Sequence, residues 1–551
     1  MLWVEFTDKK YSPYCISRPE EFLSARAIER RKRDNIAVEL YDLPVSQHYL
    51  NQIRQIGGVS VFYTSRWFNG ALLSISDTTI KGQIRELKFV RLIEVAKPER
   101  PDKSNNHHPH RTTHSNISMM SFAMPEGVDR GEVHHSFSGE LRTYWNVYPE
   151  YGKARNQIEL VNGQNLHKKG FWGHGKIIAV FDSGFLNADT LEAFSHLMSN
   201  GKILGTKDFV LPGGDVFRTH PHGTSVLSVM GGLLDNVYAG ASLGASYWLL
   251  RTEDAESEFR IEEYNWLAGA EFADSVGADI ISSSLGYTRF DDDSQNYTIH
   301  DLNGVTTVVA RAANKAASRG ILVVSSAGNY GNQNWRRIGS PADAHGALAV
   351  GATDAEGNRT SFSSVGHTAD GRIKPDVMAQ GSAVSSINAR GNIGNAHGTS
   401  FAAPMIAGLA ACLWQAFPDI SNYKLKSAIR QSSSTYIAPD SLYGFGIPDF
   451  QKAYDILSNK AVSQYEAKIR LAINPITPDS YLLVNSNYDD AISIEIINST
   501  GQRVFYIKGV LVNKGLNKIS PFTNIGELAS GVYIIRVTLR DHYQLIKAVR
   551  L

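Results

Sequence analysis

Residues 398–405 read GTSFAAPM and lead straight into an apolar run, Ile406 to Trp414. A helix N-terminus carries unpaired backbone N–H groups and a partial positive charge, so an oxygen placed there sits in a field that favours developing negative charge. Ser400 occupies that position, and its own N–H could donate to an oxyanion. Gly398 and Thr399 keep the approach open. Pro404 is expected in the first turn, where a missing N–H costs little. The competing reading is that Ser400 or Thr399 is only an N-cap.

Working outward, three more strand or helix edges stand out. VFDSG (180–184) runs a buried strand into Asp182, with Gly184 permitting a tight turn. The carboxyl edge of a parallel sheet is where open α/β sheets place their sites, although turn chemistry alone also explains an aspartate there. HGTSVLSVMGG (222–232) opens an apolar helical run at His222, after the polar loop PGGDVFRTHP (212–221). Alone, that histidine reads as a helix-entry residue. VVSSAGN (323–329) is a strand ending in Gly328 and Asn329. Asp182, His222 and Ser400, each at an edge and in that chain order, fit one of the known orders of a nucleophilic triad.

With DSG, HGTSV and GTSFAAP on the page, the chain resembles the subtilisin-like (subtilase) serine peptidases over roughly residues 165–455. The resemblance implies that Ser400 attacks a peptide carbonyl, that His222 moves the proton and that Asp182 orients the imidazole. It implies that Asn329 completes an oxyanion hole with the Ser400 N–H. It also implies that Ser284, Leu285 and Gly286 of SSSLG (282–286) pair with an extended substrate as an added strand. Ser326, Ala327 and Gly328 of SSAG (325–328) would form the S1 wall, and SPADA (340–344) its floor. P1 preference stays open. FSSVG (362–366) and RIKPDVMAQG (372–381) fit the same family as structural segments.

The expected fold class is α/β. A parallel-sheet, subtilisin-like peptidase domain sandwiched by helices (146–457) follows a small α+β prodomain (1–97) and an exposed linker with processing sites (98–145). A C-terminal β-sandwich (468–551) closes the chain. The linker holds HHPHRTTH (107–114) and HH (134–135), read as solvated chain, with metal binding as the other reading. PEEFLSARAIERRKRDNI (19–36) resembles the front of propeptides from Bacteroidetes-like bacteria; without that resemblance its basic run is a solvated helix face. In the last part, Ile492, Ile494 and Ile496 alternate with Ser493 and Glu495, and turns recur at NSTG (498–501) and ASG (529–531). NP (474–475), NSTGQRV, LASGVYIIRV and LIKAVRL resemble a type nine secretion sorting domain, with a generic binding sandwich as the alternative.

Composition narrows the rest. Lys+Arg is 55 and Asp+Glu is 54, so charge points to no nucleic acid partner. No apolar stretch is expected to reach a membrane span of about 20 residues. The start, MLWVEFTDKKYS, lacks a signal-peptide pattern, so either a signal was trimmed or the true start lies upstream. The two cysteines, Cys15 and Cys412, offer no disulfide framework, and Cys412 reads as a small core residue. No cofactor is expected for the chemistry and the metal content is unknown. The acidic loop 286–304, with DDD (291–293) and DLNG (301–304), offers oxygens for structural Ca²⁺ or is simply solvated. The expected protein is a secreted or surface serine endopeptidase, made as a self-processed zymogen. Its expected partners are protein substrates, its own prodomain and the secretion machinery. The rival is a catalytically silent surface-binding protein on the same scaffold.

Overall fold

Seven parallel strands run through the first of two units, residues 1–454; the second is 455–551. The computed structural model describes residues 1–98, 150–458, 468–486, 490–513, 515–522, 528–539 and 542–551. The histidine tracts, and all of the expected linker beyond Pro98, lie outside them.

Across the sheet the order is Val377–Gln380, Ala347–Thr353, Leu322–Ser326, Ile280–Ser283, Ile177–Asp182, Ser246–Arg251, Ile203–Asp208. Every pairing is parallel. Strands Ile280–Ser283, Leu322–Ser326 and Ala347–Thr353 are buried at every position, which is why they read as continuous small or apolar runs rather than alternating ones. Helix Ile261–Ser275 packs with Val308–Ser318, and Thr399–Ala416 packs with His222–Gly231, covering the two faces. Strand Ile177–Asp182 lies between neighbours that come later in the chain, so the strand order reverses beside it. The crevice outside such a reversal is the usual ligand position of an α/β sheet.

The sequence reading missed three of these strands: Ile203–Asp208, Ser246–Arg251 and Val377–Gln380. It also missed the first strand of the chain, Leu2–Phe6, which is buried at all five positions. That strand lies inside an antiparallel sheet with Val59–Ser65, Gly70–Ile75 and Val90–Val95, and helices Gln47–Arg54 and Ile80–Arg85 belong to the same region. This β-α-β-β-α-β order is of the ferredoxin-like type.

This small sheet shares a core with the large one. Trp3, Tyr63, Trp67 and Leu72 join Trp266, Phe272, Val309 and Ala313 in one buried cluster. Helix Ile261–Ser275 is therefore covered on both sides, and it is buried almost all round, as a helix without a solvent face must be. Two of its acids, Glu271 and Asp274, are taken up by the N-terminal region. Glu271 accepts from the backbone N–H groups of Arg66 at 2.8 Å and Trp67 at 3.1 Å. Asp274 accepts from Arg31 at 2.9 Å and from Arg66 at 2.7 Å, and it also pairs with Arg30. The solvated-face reading of the basic run 29–33 is thus overturned for two of its residues. Arg30 and Arg31 are buried because a fully buried carboxylate on the facing helix needs their charge.

Two further expectations are corrected at helix Thr399–Ala416. The helix starts at Thr399, so Pro404 lies in its second turn, where a missing N–H removes the bond to the Ser400 carbonyl. The Ser284 hydroxyl donates to that carbonyl instead, at 2.8 Å. The helix is also 18 residues long with mean hydropathy 1.2, enough by length and composition to cross a membrane; 89% of it is buried inside the protein. Cys412 on this helix is fully buried, its thiol donating to the Ala241 carbonyl at 3.2 Å.

The second unit holds two antiparallel sheets. Lys468–Leu471, Leu482–Ser486 and Gly515–Ile519 form one; Arg503–Val512, Asp490–Asn498, Gly531–Leu539 and His542–Arg550 form the other. Ile469, Leu482 and Val484 share a core with Ile492, Ile494, Ile496, Ile535 and Val537. The alternation along Asp490–Asn498 thus points Ile492, Ile494 and Ile496 into a sandwich core, with Ile497 on the other face.

Candidate active site

Asp182 ends its strand fully buried, and Gly184 turns the chain at φ 150°. A Cβ at Gly184 would lie 2.1 Å from the Thr219 hydroxyl, so only glycine fits. His222 is the first residue of its helix. The next residue, Gly223, donates its N–H to the Gly184 carbonyl at 3.0 Å, closing the helix start onto the strand end. His222 Nδ1 then lies 2.8 Å from Asp182 Oδ1 and 3.0 Å from Oδ2. The Ser183 N–H donates to the same carboxylate at 2.8 Å. Burial works against the charged imidazole, but Asp182, with a contribution from Glu253, outweighs it and holds His222 above its ordinary pKa of 6.5.

At the facing helix, Gly398 is the cap residue at φ 143°, and no side chain caps the helix. The N-cap reading of Ser400 and Thr399 therefore fails. The Thr399 N–H and hydroxyl donate to Asn329 Oδ1 at 2.9 and 3.0 Å, and the Gly328 N–H donates to the Thr399 hydroxyl at 3.1 Å. With Oδ1 held by two donors, the Asn329 amide nitrogen is left facing the helix start. A Cβ on Gly398 would lie 3.4 Å from that nitrogen and 3.7 Å from the Ser400 N–H. Ser400 itself is 9% exposed. Its hydroxyl donates to the Ser284 carbonyl at 3.2 Å, and among the described residues it makes no hydrogen bond to His222. The His222 ring lies 5.7 Å from the ring of Phe401, the next residue.

The expected substrate segments meet here as well. Ser284 and Ser400 exchange hydroxyl-to-carbonyl hydrogen bonds. The Ser326 hydroxyl donates to the Leu285 carbonyl at 3.4 Å, and the Tyr330 hydroxyl donates to the Gly286 carbonyl at 3.5 Å. Above Gly286 the space is open, with only the Ser340 carbonyl 3.9 Å from a would-be Cβ. Ala327 packs on Ile338, Ala342 and Ala349, which puts the SPADA segment behind the S1 wall.

The acids of loop 286–304 do not gather. Asp292 accepts from the Ser294 N–H, Asp293 from the Asn296 amide, and Asp301 from the Thr298 N–H and hydroxyl. These are turn and cap bonds, and among the described residues the loop's acids form no group of three or more with their oxygens close together. Sequence reasoning missed the roles of Thr399 and the Ser284 hydroxyl. It also missed Glu253, which follows Thr252, whose N–H donates to the Asp182 carbonyl at 3.0 Å. The dense acidic stretch RTEDAESEFRIEE (251–263) was the available signal for Glu253.

A buried aspartate–histidine pair facing a helix-borne serine is the arrangement of a hydrolase that works by a serine nucleophile. A family model described as Peptidase_S8, Subtilase family, matches residues 173–446, and one described as Peptidase S8 propeptide domain, Bacteroidota, matches residues 1–112. Subtilisin NAT of Bacillus subtilis subsp. natto is 30% identical over 302 residues, covering 54% of this chain and 70% of that protein. The thermostable alkaline protease of Halalkalibacterium halodurans is 28% identical over 291 residues, covering 53% and 70%. The solved structure of MycP1 from Mycobacterium smegmatis aligns at 20% identity and TM-score 0.43, covering 56% of this chain and 87% of that one. The chain belongs to the subtilase family: it is a serine endopeptidase carrying a propeptide domain.

Proposed function

We propose that Asp182, His222 and Ser400 form the catalytic triad and that the Ser400 N–H and the Asn329 amide form the oxyanion hole. The observation that carries this reading is the short His222–Asp182 pair, set opposite a helix start that holds both Ser400 and the clamped Asn329 amide. In the resting state the Ser400 hydroxyl is parked on the Ser284 carbonyl. A χ1 rotation brings it toward His222 Nε2, and such bonds commonly tighten only once substrate is bound. Asp182 fixes the Nδ1–H tautomer, so Nε2 takes the Ser400 proton as the hydroxyl attacks the carbonyl. The oxyanion then receives the two N–H donors, and the imidazolium protonates the leaving amine. Ser284, Leu285 and Gly286 hold the peptide as an added strand, and Ser326, Ala327 and Gly328 wall its S1 pocket.

The wider reading is a secreted or cell-surface enzyme, made as a zymogen that processes itself in the linker 98–145. The peptidase domain then spans 146–457. The sandwich at 468–551 serves as its sorting domain and engages the type nine secretion machinery. The chemistry needs no cofactor; structural calcium stays compatible with it. The test is to purify wild type and Ser400→Ala, then map new N-termini by mass spectrometry and follow casein hydrolysis. Wild type is expected to cut itself within 98–145 and to degrade casein, while Ser400→Ala does neither. Equal behaviour of the two would end the reading.

A further inference from the structure

Three glutamates meet beside the site with no counter-charge. Glu253, Glu258 and Glu262 each place a carboxylate oxygen within 4.8 Å of the others. Glu262 is fully buried and neither of its oxygens makes a hydrogen bond of ordinary geometry. Among the described residues no Lys, Arg or His nitrogen lies within 4.0 Å of any of the three. One oxygen of Glu253 accepts from the Tyr287 hydroxyl at 2.8 Å, and the Asp254 backbone N–H lies toward Glu262. Burial first pushes all three carboxyls above their ordinary range; Glu253 adds to the shift at Glu258 and Glu262, and Asp182 and Asp254 add to it at Glu253. Carboxyls in this state hold their protons near neutral pH and give them up when a cation comes among them.

Their position says which cation. Glu258 lines a cavity of about 410 Å³ together with Gly286, Thr288, Arg289, Tyr330 and Trp335, so this one acid of the three opens onto the segment assigned above to the substrate backbone, with Glu253 and Glu262 behind it. Glu253 adds to the negative field at His222. The cavity walls include the rings of Tyr330 and Trp335, surfaces that suit a guanidinium or ammonium better than a hydrated metal ion. Arg289 stands exposed on the same cavity and forms no ion pair with the acids. The neighbouring acid, Asp254, already holds a lysine of the propeptide region: Lys97 Nζ lies 3.4 Å from its carboxylate and 3.0 Å from the Ser257 hydroxyl.

We propose that this cavity is a subsite for a cationic side chain of the substrate, with Glu253, Glu258 and Glu262 as its counter-charge, so that the enzyme prefers peptides with Arg or Lys at one position upstream of the scissile bond. The inference rests on the peptidase reading.

It is tested on the self-processed full chain with fluorogenic peptides carrying Arg or norleucine in turn at each of four upstream positions. Active enzyme is counted with a serine-reactive titrant. At one position Arg is expected to raise kcat/KM at least about tenfold over norleucine, mainly through KM and less so in high salt. Glu258→Gln should shrink that ratio toward unity, and Glu262→Gln should do the same without touching the cavity lining. Equal rates for Arg and norleucine everywhere would overturn the proposal, as would a ratio untouched by both variants. A preference lost in chelator and restored by Ca²⁺ would assign the acids to a metal ion and overturn it too. Cleavage of no peptide, with Ser400→Ala indistinguishable from wild type, would instead overturn the peptidase reading beneath it.

Discussion

Asn329 shows how one side chain is assigned a task by its neighbours. Both Thr399 donors hold its oxygen, which leaves its amide nitrogen for the oxyanion role proposed above. Asn329→Leu, which keeps the bulk, is expected to lower kcat by about 10²–10³ with KM little changed, the range for one oxyanion donor in enzymes of this class. Steady-state kinetics on a single peptide checks it; an unchanged kcat would remove the role. At His222 the sign is set by Asp182. Because the imidazole is held above 6.5, kcat/KM should rise with pH through an apparent pKa above that value. Asp182→Asn should lose about 10⁴ in kcat at neutral pH. A pH profile with its acid limb well below 6.5 would contradict the assignment. The proposed set could be read from the sequence because nucleophile, base and oxyanion donor need fixed residue types beside small neighbours. Thr399 and the Ser284 hydroxyl could not, since their roles depend on which orphan atoms the fold brings to them.

Helix Thr399–Ala416 carries the same lesson at the level of an element. Its apolar run was readable, but the turn in which Pro404 falls depends on where the helix begins. With no N–H at 404, the Ser400 carbonyl relies on the Ser284 hydroxyl. Ser284→Ala should therefore destabilise the protein by about 1–3 kcal/mol, the cost of an unsatisfied buried acceptor. In a Pro404→Ala background the same change should cost less, because a backbone N–H returns to that carbonyl. Denaturant melts of the four proteins form the cycle, and strict additivity would refute the coupling. Strands were legible where burial on both faces left an unbroken apolar run, as at Ala347–Thr353. Ile203–Asp208 alternates between intermediate and exposed positions and carries Thr206, Lys207 and Asp208, so nothing local marked it as an edge strand. In the last unit the Asn474 side chain ties itself to the final strand, accepting from the Val549 N–H at 2.9 Å and donating to the Lys547 carbonyl. The motif read there as a sorting mark therefore has a packing role in its own right.

On the scale of the whole molecule, the propeptide region is built into the peptidase core rather than resting on it. Trp3 stacks on Tyr264 with ring centres 4.5 Å apart, and Asp274 is surrounded by Arg30, Arg31 and Arg66. Sequence reasoning could not see this, because the arginines and their carboxylate lie more than 200 residues apart and each looks like an ordinary surface charge. Asp274→Asn removes the carboxylate that three buried guanidinium groups share, leaving Arg31 with Asp42 and Arg66 with Glu271, and breaking such a cluster costs about 3–5 kcal/mol. The variant is expected to release its propeptide sooner and to reach full casein activity earlier than wild type. A slower release would argue that the cluster guides folding more than it holds the inhibitor.

The central claim concerns a hydroxyl that rests on a carbonyl and must turn to a histidine. A structure of the self-processed protein with a serine-reactive peptide aldehyde or phosphonate tests it most directly. The account predicts a covalent bond to Ser400 Oγ, with the adduct oxygen within hydrogen-bond distance of both the Ser400 N–H and the Asn329 amide. A bond to any other side chain, or an adduct oxygen turned away from Asn329, would contradict it.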